Sequence, residues 1–377
     1  MSVARRSIEI CVQVDAPVLL WGAPGVGKSA LVRDVARTMG LPVEVIIASL
    51  REPADFSGLP VISNDRESVF LCPPSWARRL AARPGILFLD EITCAPTSVQ
   101  AALLRVVLDR VVGDLPLHPG TRVVAAANPP EISAGGSELS LPLANRFCHL
   151  WANPPAPKAL AEFLRSGKWP ERESSGTLRV PEDYYDGIEG MCARALVASF
   201  LEARGELVHS MPMDREESSI PDDPRGDDFL RIVAWPSPRT WEMATRVLAA
   251  ARAAGAPPDV CRALVSGCVG PEAASELLHF ERLRDLPDPE TLLADPKSAS
   301  RLSGKRSDII IAALSAVAAA VRENHTTARW TAAWYVLLEV QQRDLAIPAA
   351  RILAEDRRPG EKPPIRALEV FGPLLLP

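Results

Sequence analysis

Paired cysteines, surplus positive charge, a leader segment and a long apolar run are all missing from this chain, and each absence removes a class of function. The seven cysteines, Cys11, Cys72, Cys94, Cys148, Cys192, Cys261 and Cys268, show no C-x-x-C spacing. Neither a zinc site nor a disulfide framework is indicated, and the thiols read as small buried hydrophobes of a reducing compartment. With 42 Lys+Arg against 47 Asp+Glu and a formal net charge of -5, no global basic surface is available for nucleic-acid phosphates, which leaves only a local basic channel. His118, His149, His209, His279 and His325 are dispersed without an i,i+4 pair, so a histidine metal site has little support. No serine or cysteine nucleophile motif appears, and no fixed-period repeat. The N-terminal stretch lacks a basic-then-apolar leader pattern. The most apolar later segment, Ile309 to Val321, is shorter than the ~20 residues that span a bilayer. A cytoplasmic protein without membrane contact is the expectation, and 377 residues call for two or three domains.

What is present begins with Gly22-Ala23-Pro24-Gly25-Val26-Gly27-Lys28-Ser29, directly after the apolar run Val18-Leu19-Leu20-Trp21. Strand, glycine loop and helix in that order are the context a phosphate-binding loop requires. Glycines let backbone N–H groups turn toward phosphates, Lys28 reaches the β- and γ-phosphates as a point charge, and the Ser29 hydroxyl suits Mg²⁺. The following Ala30 to Arg37 stretch reads as a helix whose positive N-terminus faces the anion.

Ile86-Leu87-Phe88-Leu89-Asp90-Glu91 has the form of a buried parallel strand that delivers two acids at its C-terminal edge, where open α/β sheets bind ligands. Asp90 is expected in the Mg²⁺ shell and Glu91 as the group that orients and polarises the attacking water; the plain alternative is a pair of acids capping the next helix. A third strand, Thr121 to Ala127, ends at Asn128-Pro129-Pro130. The Asn128 amide can meet the γ-phosphate or the lytic water, and it can equally form an Asx turn before the prolines.

These motifs, followed by Leu141-Pro142-Leu143-Ala144-Asn145-Arg146-Phe147 and Ser237-Pro238-Arg239, resemble the AAA+ ATPases, and two details resemble their MoxR branch. Asp55 to Val61 with Val69 to Trp76 is similar to the insert in the second helix of that branch, a hairpin turning at Ser63 to Glu67. Arg110 to Leu117, with Gly113-Asp114 at its turn, is similar to the hairpin before the first sensor. The resemblance implies that both hairpins line or flank a central pore. It makes Arg146 an arginine finger reaching a neighbouring subunit and Arg239 the second sensor, contacting the γ-phosphate from a lid. On local grounds alone Arg146 is also a favourable helix C-terminal charge, whereas Arg239 at a helix start is electrostatically unhelpful.

The implied fold is α/β: an AAA+ phosphate-loop, parallel-sheet domain at 1–155, an α-helical lid at 156–296 with an inserted acidic loop around 206–229, and a C-terminal helical extension at 297–377. Ser307-Asp308 reads as the cap of Ile309 to Arg322, and Trp330, Trp334, Tyr335 and Leu338 as the core face of a second helix. Leu286 to Pro296 reads as a turn-rich connector, and the chain beyond Arg357 as irregular, closing in an apolar tail that docks on its own or the next subunit. The family further implies ATP and Mg²⁺ as cofactors and a homo-oligomeric ring, most often a hexamer. It also implies a protein client, typically carrying a von Willebrand factor type A domain. Two other readings stand beside this remodelling ATPase: a nucleic-acid motor, through Arg66 or Arg110 on the hairpins, and a nucleotide-gated scaffold with slow hydrolysis.

Overall fold

The computed structural model describes residues 3–129, 139–167, 177–211, 226–283 and 286–375. The stretch Ala134-Gly135-Gly136-Ser137, whose glycines read as a loop before Leu141, and most of the acidic segment, 212–225, lie outside the described residues.

Nine strands are present among them: β1 Val18–Trp21, β2 Val43–Ile47, β3 Leu59–Ile62, β4 Val69–Cys72, β5 Ile86–Asp90, β6 Val111–Val112, β7 Leu115–Pro116, β8 Arg122–Ala127 and β9 Cys148–Trp151. Five of them form a parallel sheet in the order β2-β5-β8-β1-β9. β1 and most of β5 are buried along their whole length, as expected where helices cover both faces of a parallel sheet. The core behind them draws on Leu19, Trp21, Leu87, Leu89, Leu103, Val123, Ala125 and Phe147. Two of these strands carry little signal in the sequence. β9 is only four residues long with a polar histidine inside it, and β2 sits at the sheet edge with alternate side chains exposed.

β3 and β4 form one antiparallel hairpin and β6 and β7 another, both as expected. They rest on each other. Gly113, at φ +60°, turns the second hairpin so closely that a Cβ there would lie 2.8 Å from Ser57 O, and the Asp114 carboxylate accepts a 3.0 Å bond from the Leu71 N–H of β4.

By packing, the chain divides into two compact units, residues 1–180 with 206–275 and residues 181–205 with 276–377. This grouping cuts across the 156–296 stretch read as a lid. The helices Pro238–Ala253 and Pro258–Val269 belong with the sheet, the latter packed on β9 and on an N-terminal helix, Val3–Gln13, that the apolar pattern does not announce. That N-terminal helix is pinned to the helix after the phosphate loop by the buried Arg5, whose Nε lies 2.9 Å from Asp34 and whose Nη1 lies 2.6 Å from Glu9.

The second unit is helical and has its own core around Leu314, Val317, Trp330, Trp334, Leu337, Leu353 and Phe371. Several expectations are corrected there. The helix Ser307–Glu323 begins at Ser307 with Arg306 in the capping position and no side-chain cap, because the buried Asp308 is engaged by Arg306 at 2.7 Å instead. Tyr335 is 47% exposed and outside the core. The connector contains a helix, Pro289–Ala294, capped by Asp288. The apolar tail is a helix, Ile365–Leu375, whose Phe371 packs against Trp334 within the same unit. Pro373 in its last turn hides that helix from the sequence.

Candidate functional site

The loop between β1 and the helix Lys28–Thr38 bends through positive φ at Gly25 (78°) and Gly27 (96°), a region open to glycine at little cost. Gly27 then stands in the capping position with no side chain to satisfy the first-turn N–H groups. Those donors and the helix dipole together form an anion seat.

Lys28 ties two strand tips together, those of β1 and β8. Its Nζ donates to Gly22 O at 2.7 Å, to Ala23 O at 3.1 Å and to the Asn128 amide oxygen at 2.6 Å. Partial burial lowers its pKa below the usual lysine value, while Asp90 and Glu91 oppose that shift. The Ser29 hydroxyl donates to Asp90 Oδ2 at 2.9 Å. Asp90 thus arrives at the end of β5 in contact with the helix start, and Asn128, just past β8, lies beside the lysine. The sequence expectation that these groups converge from separate strands is met in position.

Glu91 leaves the strand in the left-handed region at φ 56°, an uncommon conformation for a non-glycine residue that cost and function often share. Its carboxylate accepts a 2.8 Å bond from Ser49 Oγ. Ser49 comes from the short turn Ala48–Leu50 after β2. The sequence reading missed it, since a lone serine beyond an unrecognised edge strand carries no local signal.

Arg146 and Arg239 are brought to each other and not to these tips. β9 runs parallel to β1, with Cys148 in register with Val18 and Trp151 with Trp21. Arg146 precedes Cys148, so it stands at the N-terminal edge of the sheet, whereas the phosphate loop leaves from the C-terminal edge, ~10 Å farther along the strand at ~3.3 Å per residue. Burial first, and the Arg239 charge second, hold the Arg146 pKa below its usual value, with Asp109 opposing. The Arg146 Nη1 donates to Pro142 O, and its Nε has no partner among the described residues. Ser237 holds the two arginine-bearing segments together: it caps the helix Pro238–Ala253 in a capping box with Thr240 and donates to Asn145 Oδ1 at 3.0 Å. Arg239 follows in the first turn, exposed.

Of the two hairpin arginines proposed for nucleic acid, Arg110 is unavailable, because it is ion-paired to Asp15 at 2.8 Å with only 14% of its side chain exposed. Arg66 is exposed at the turn of the first hairpin between Asp65 and Glu67. All seven cysteines are free thiols. Among the described residues no helix is long and apolar enough to cross a membrane.

Comparison with known proteins agrees with this arrangement. Residues 17–147 match the family described as AAA domain (dynein-related subfamily). The nitric oxide reductase transcription regulators NorR1 and NorR2 of Cupriavidus necator are 34% and 33% identical over 132 residues, each match covering 33% of this chain and 25% of the relative. The chain therefore spans about a quarter of the length of these curated relatives. A solved structure of a presumed ATPase from Cytophaga hutchinsonii aligns over 74% of this chain and 87% of its own at 19% identity, with a TM-score of 0.44. Residues 17–147, which hold the parallel sheet up to β9 and the knit of Lys28, Ser29, Asp90 and Asn128, are thus a region that matches the AAA domain family.

Proposed function

We propose that this protein is a Mg²⁺-dependent ATP hydrolase of the MoxR type that works as a ring, a hexamer by family resemblance, and remodels a protein partner. The partner class the resemblance implies is a protein with a von Willebrand factor type A domain. In this reading 1–155 carries the nucleotide, 156–296 supplies the lid and 297–377 is an extension.

The observation that carries the proposal is the separation of the two halves of the chemistry on one sheet. Lys28, Ser29, Asp90, Glu91 and Asn128 gather at its C-terminal edge, and Arg146 with Arg239 stands at the other. A site needing both halves is completed only when a second copy presents its arginine edge to the first copy's phosphate loop. The oxygen donors of Ser29 and Asp90, 2.9 Å apart, fit a hard divalent cation that keeps other positions for water and phosphate. Mg²⁺ bound there would supply positive charge to the phosphate oxygens. Gly22 to Ser29 would bind and orient the phosphates through backbone N–H groups, Lys28 exchanging its carbonyl contacts for phosphate oxygens. Glu91, released from Ser49, would take a proton from water, and the arginine pair would stabilise the charge that develops in the transition state.

A protein client is favoured over nucleic acid by the hairpins. The first exposes Leu59, Ile62, Val69 and Phe70, at 61%, 66%, 61% and 48%, an apolar surface suited to protein contact. The similarity to the NorR regulators is confined to 132 residues. Turnover measurements on Lys28→Ala, Glu91→Gln and Arg146→Ala subunits, alone and mixed, test the proposal. Each is expected to be inactive alone, and Lys28→Ala mixed with Arg146→Ala is expected to regain turnover, since each restores the half the other lacks. Full activity of Arg146→Ala by itself would sink the shared site. Identification of a von Willebrand factor type A protein on the Glu91→Gln ring tests the partner.

A further inference from the structure

The two edges of the sheet are joined inside one chain by a hydrogen-bonded line whose middle member is a histidine. His149 lies within β9 and is 1% exposed. The indole N–H of Trp21 donates to its Nδ1 at 2.9 Å, and its Nε2 lies 2.9 Å from Ala144 O. An indole can only donate and a carbonyl can only accept, so Nδ1 must be bare and Nε2 must carry the proton. A doubly protonated ring would set an N–H against the indole N–H. Burial lowers the imidazole pKa to about 4, with the Ala144 carbonyl opposing, so this neutral tautomer persists at ordinary pH.

Both partners are placed at informative positions. Trp21 ends β1 and is followed by Gly22, the first residue of the phosphate loop; its carbonyl also accepts from Ala152 N at 2.7 Å. Ala144 ends the short helix Leu141–Ala144, and the next two residues are Asn145, held by Ser237, and Arg146. The line therefore runs from Trp21 through His149 to Ala144, and from Asn145 through Ser237 to the helix start that bears Arg239. An apolar residue at 149 would take this partner away from the buried indole N–H and from the Ala144 carbonyl, so the bridge fixes the strand tip and the helix end in one relative geometry.

We propose that His149 is a positioning residue: by bridging the indole at the base of the phosphate loop to the carbonyl that precedes Asn145-Arg146, it sets the reach of the arginine pair toward the neighbouring subunit. This rests on the shared-site reading above. The substitution acts through Arg146 and Arg239 and therefore appears in the turnover of the neighbour's site.

The test uses a mixture in which one kind of subunit carries Lys28→Ala and only donates arginines, while the other carries Arg146→Ala and only hydrolyses. His149→Leu added to the donor is expected to lower kcat of the mixture by about tenfold with KM for ATP unchanged. His149→Gln, whose amide can accept from the indole and donate to the carbonyl, is expected to restore at least about half. Trp21→Phe in the donor removes the indole N–H together with the five-membered ring, and it is expected to lower kcat of the mixture as His149→Leu does. Donor variants with unchanged kcat in an active mixture overturn the role of His149. Equal losses in His149→Leu and His149→Gln, tracking a fall in unfolding temperature, overturn it as well. A parent mixture without turnover overturns the shared-site reading itself, which separates the two failures.

Discussion

The two edges of the central sheet are built on opposite plans. At the C-terminal edge unlike groups satisfy one another: Lys28 bonds Asn128 and two loop carbonyls, Ser29 bonds Asp90, and Ser49 holds Glu91. At the N-terminal edge Arg146 lies within electrostatic reach of Arg239, with Asp109 opposing, and its described hydrogen-bond partner is a backbone carbonyl. Like charges within reach of one another carry a cost unless something anionic is brought to them. A self-satisfied edge is organised in the single chain, and under the proposed shared site the arginine edge is the one presented to a neighbouring copy.

The largest expected effect breaks the second plan and leaves the first intact. Arg146→Ala or Arg239→Ala should lower kcat by ~10³-fold or more, the scale of an arginine supplied across an interface, with nucleotide affinity of the altered subunit's own loop unchanged. Because the two act as a unit, the double substitution should cost little more than either alone. Turnover and fluorescent-nucleotide binding on the same preparations read both outcomes.

A smaller effect sharpens the contrast through pH. The folded-state pKa of His149 is depressed to about 4 by burial from an ordinary value near 6.5. Its contribution to stability is therefore fully present above pH ~6.5 and falls as the pH drops toward 4, where the unfolded chain has gained a proton that the folded chain refuses. The limiting loss is about 3 kcal/mol at ~1.4 kcal/mol per pH unit. His325, in the second unit, behaves with the opposite sign. Its Nδ1 lies 2.7 Å from Asp356 and its Nε2 3.1 Å from Glu361; the Asp356 bond leads in raising its pKa, burial and Arg358 opposing. That contribution is present below pH ~6.5 and is lost as the pH rises through the raised folded value. Denaturant unfolding from pH 4 to 8 of the parent, His149→Leu and His325→Gln proteins checks both signs. A flat difference between parent and His149→Leu across that range would refute the first.

The smallest effect concerns the bond from Ser49 to the Glu91 carboxylate. Ser49→Ala should raise basal turnover about fivefold, as the loss of a bond worth about 1 kcal/mol implies, with ATP affinity unchanged. A fall in turnover would mean that Ser49 orients Glu91 for the reaction instead of restraining it.

Legibility from sequence followed the range of the interactions. The loop and the two strands ending at Asp90 and Asn128 could be read because glycine spacing and unbroken apolar runs are local signals. Both hairpins were legible from their turn residues. β9 was not, because four residues containing His149 look like neither alternating nor continuous apolar strand, and without β9 the edge on which Arg146 stands cannot be known. The C-terminal helices at Pro289–Ala294 and Ile365–Leu375 escaped notice because prolines at their ends resemble loop punctuation.

By itself the sequence determined that a glycine-rich loop of phosphate-binding pattern stands at Gly22 to Ser29 and that acids and an amide arrive from later strands, since backbone conformation and strand burial there depend on neighbours close along the chain. Only the tertiary structure decided which groups meet and which are kept apart. Ser49 reaches Glu91 across 42 residues, Trp21 reaches His149 across 128, and Asn145, next to Arg146, is held by Ser237 across 92. Those pairings follow from the order and parallel direction of strands in the sheet, a property of long-range packing that no local pattern encodes.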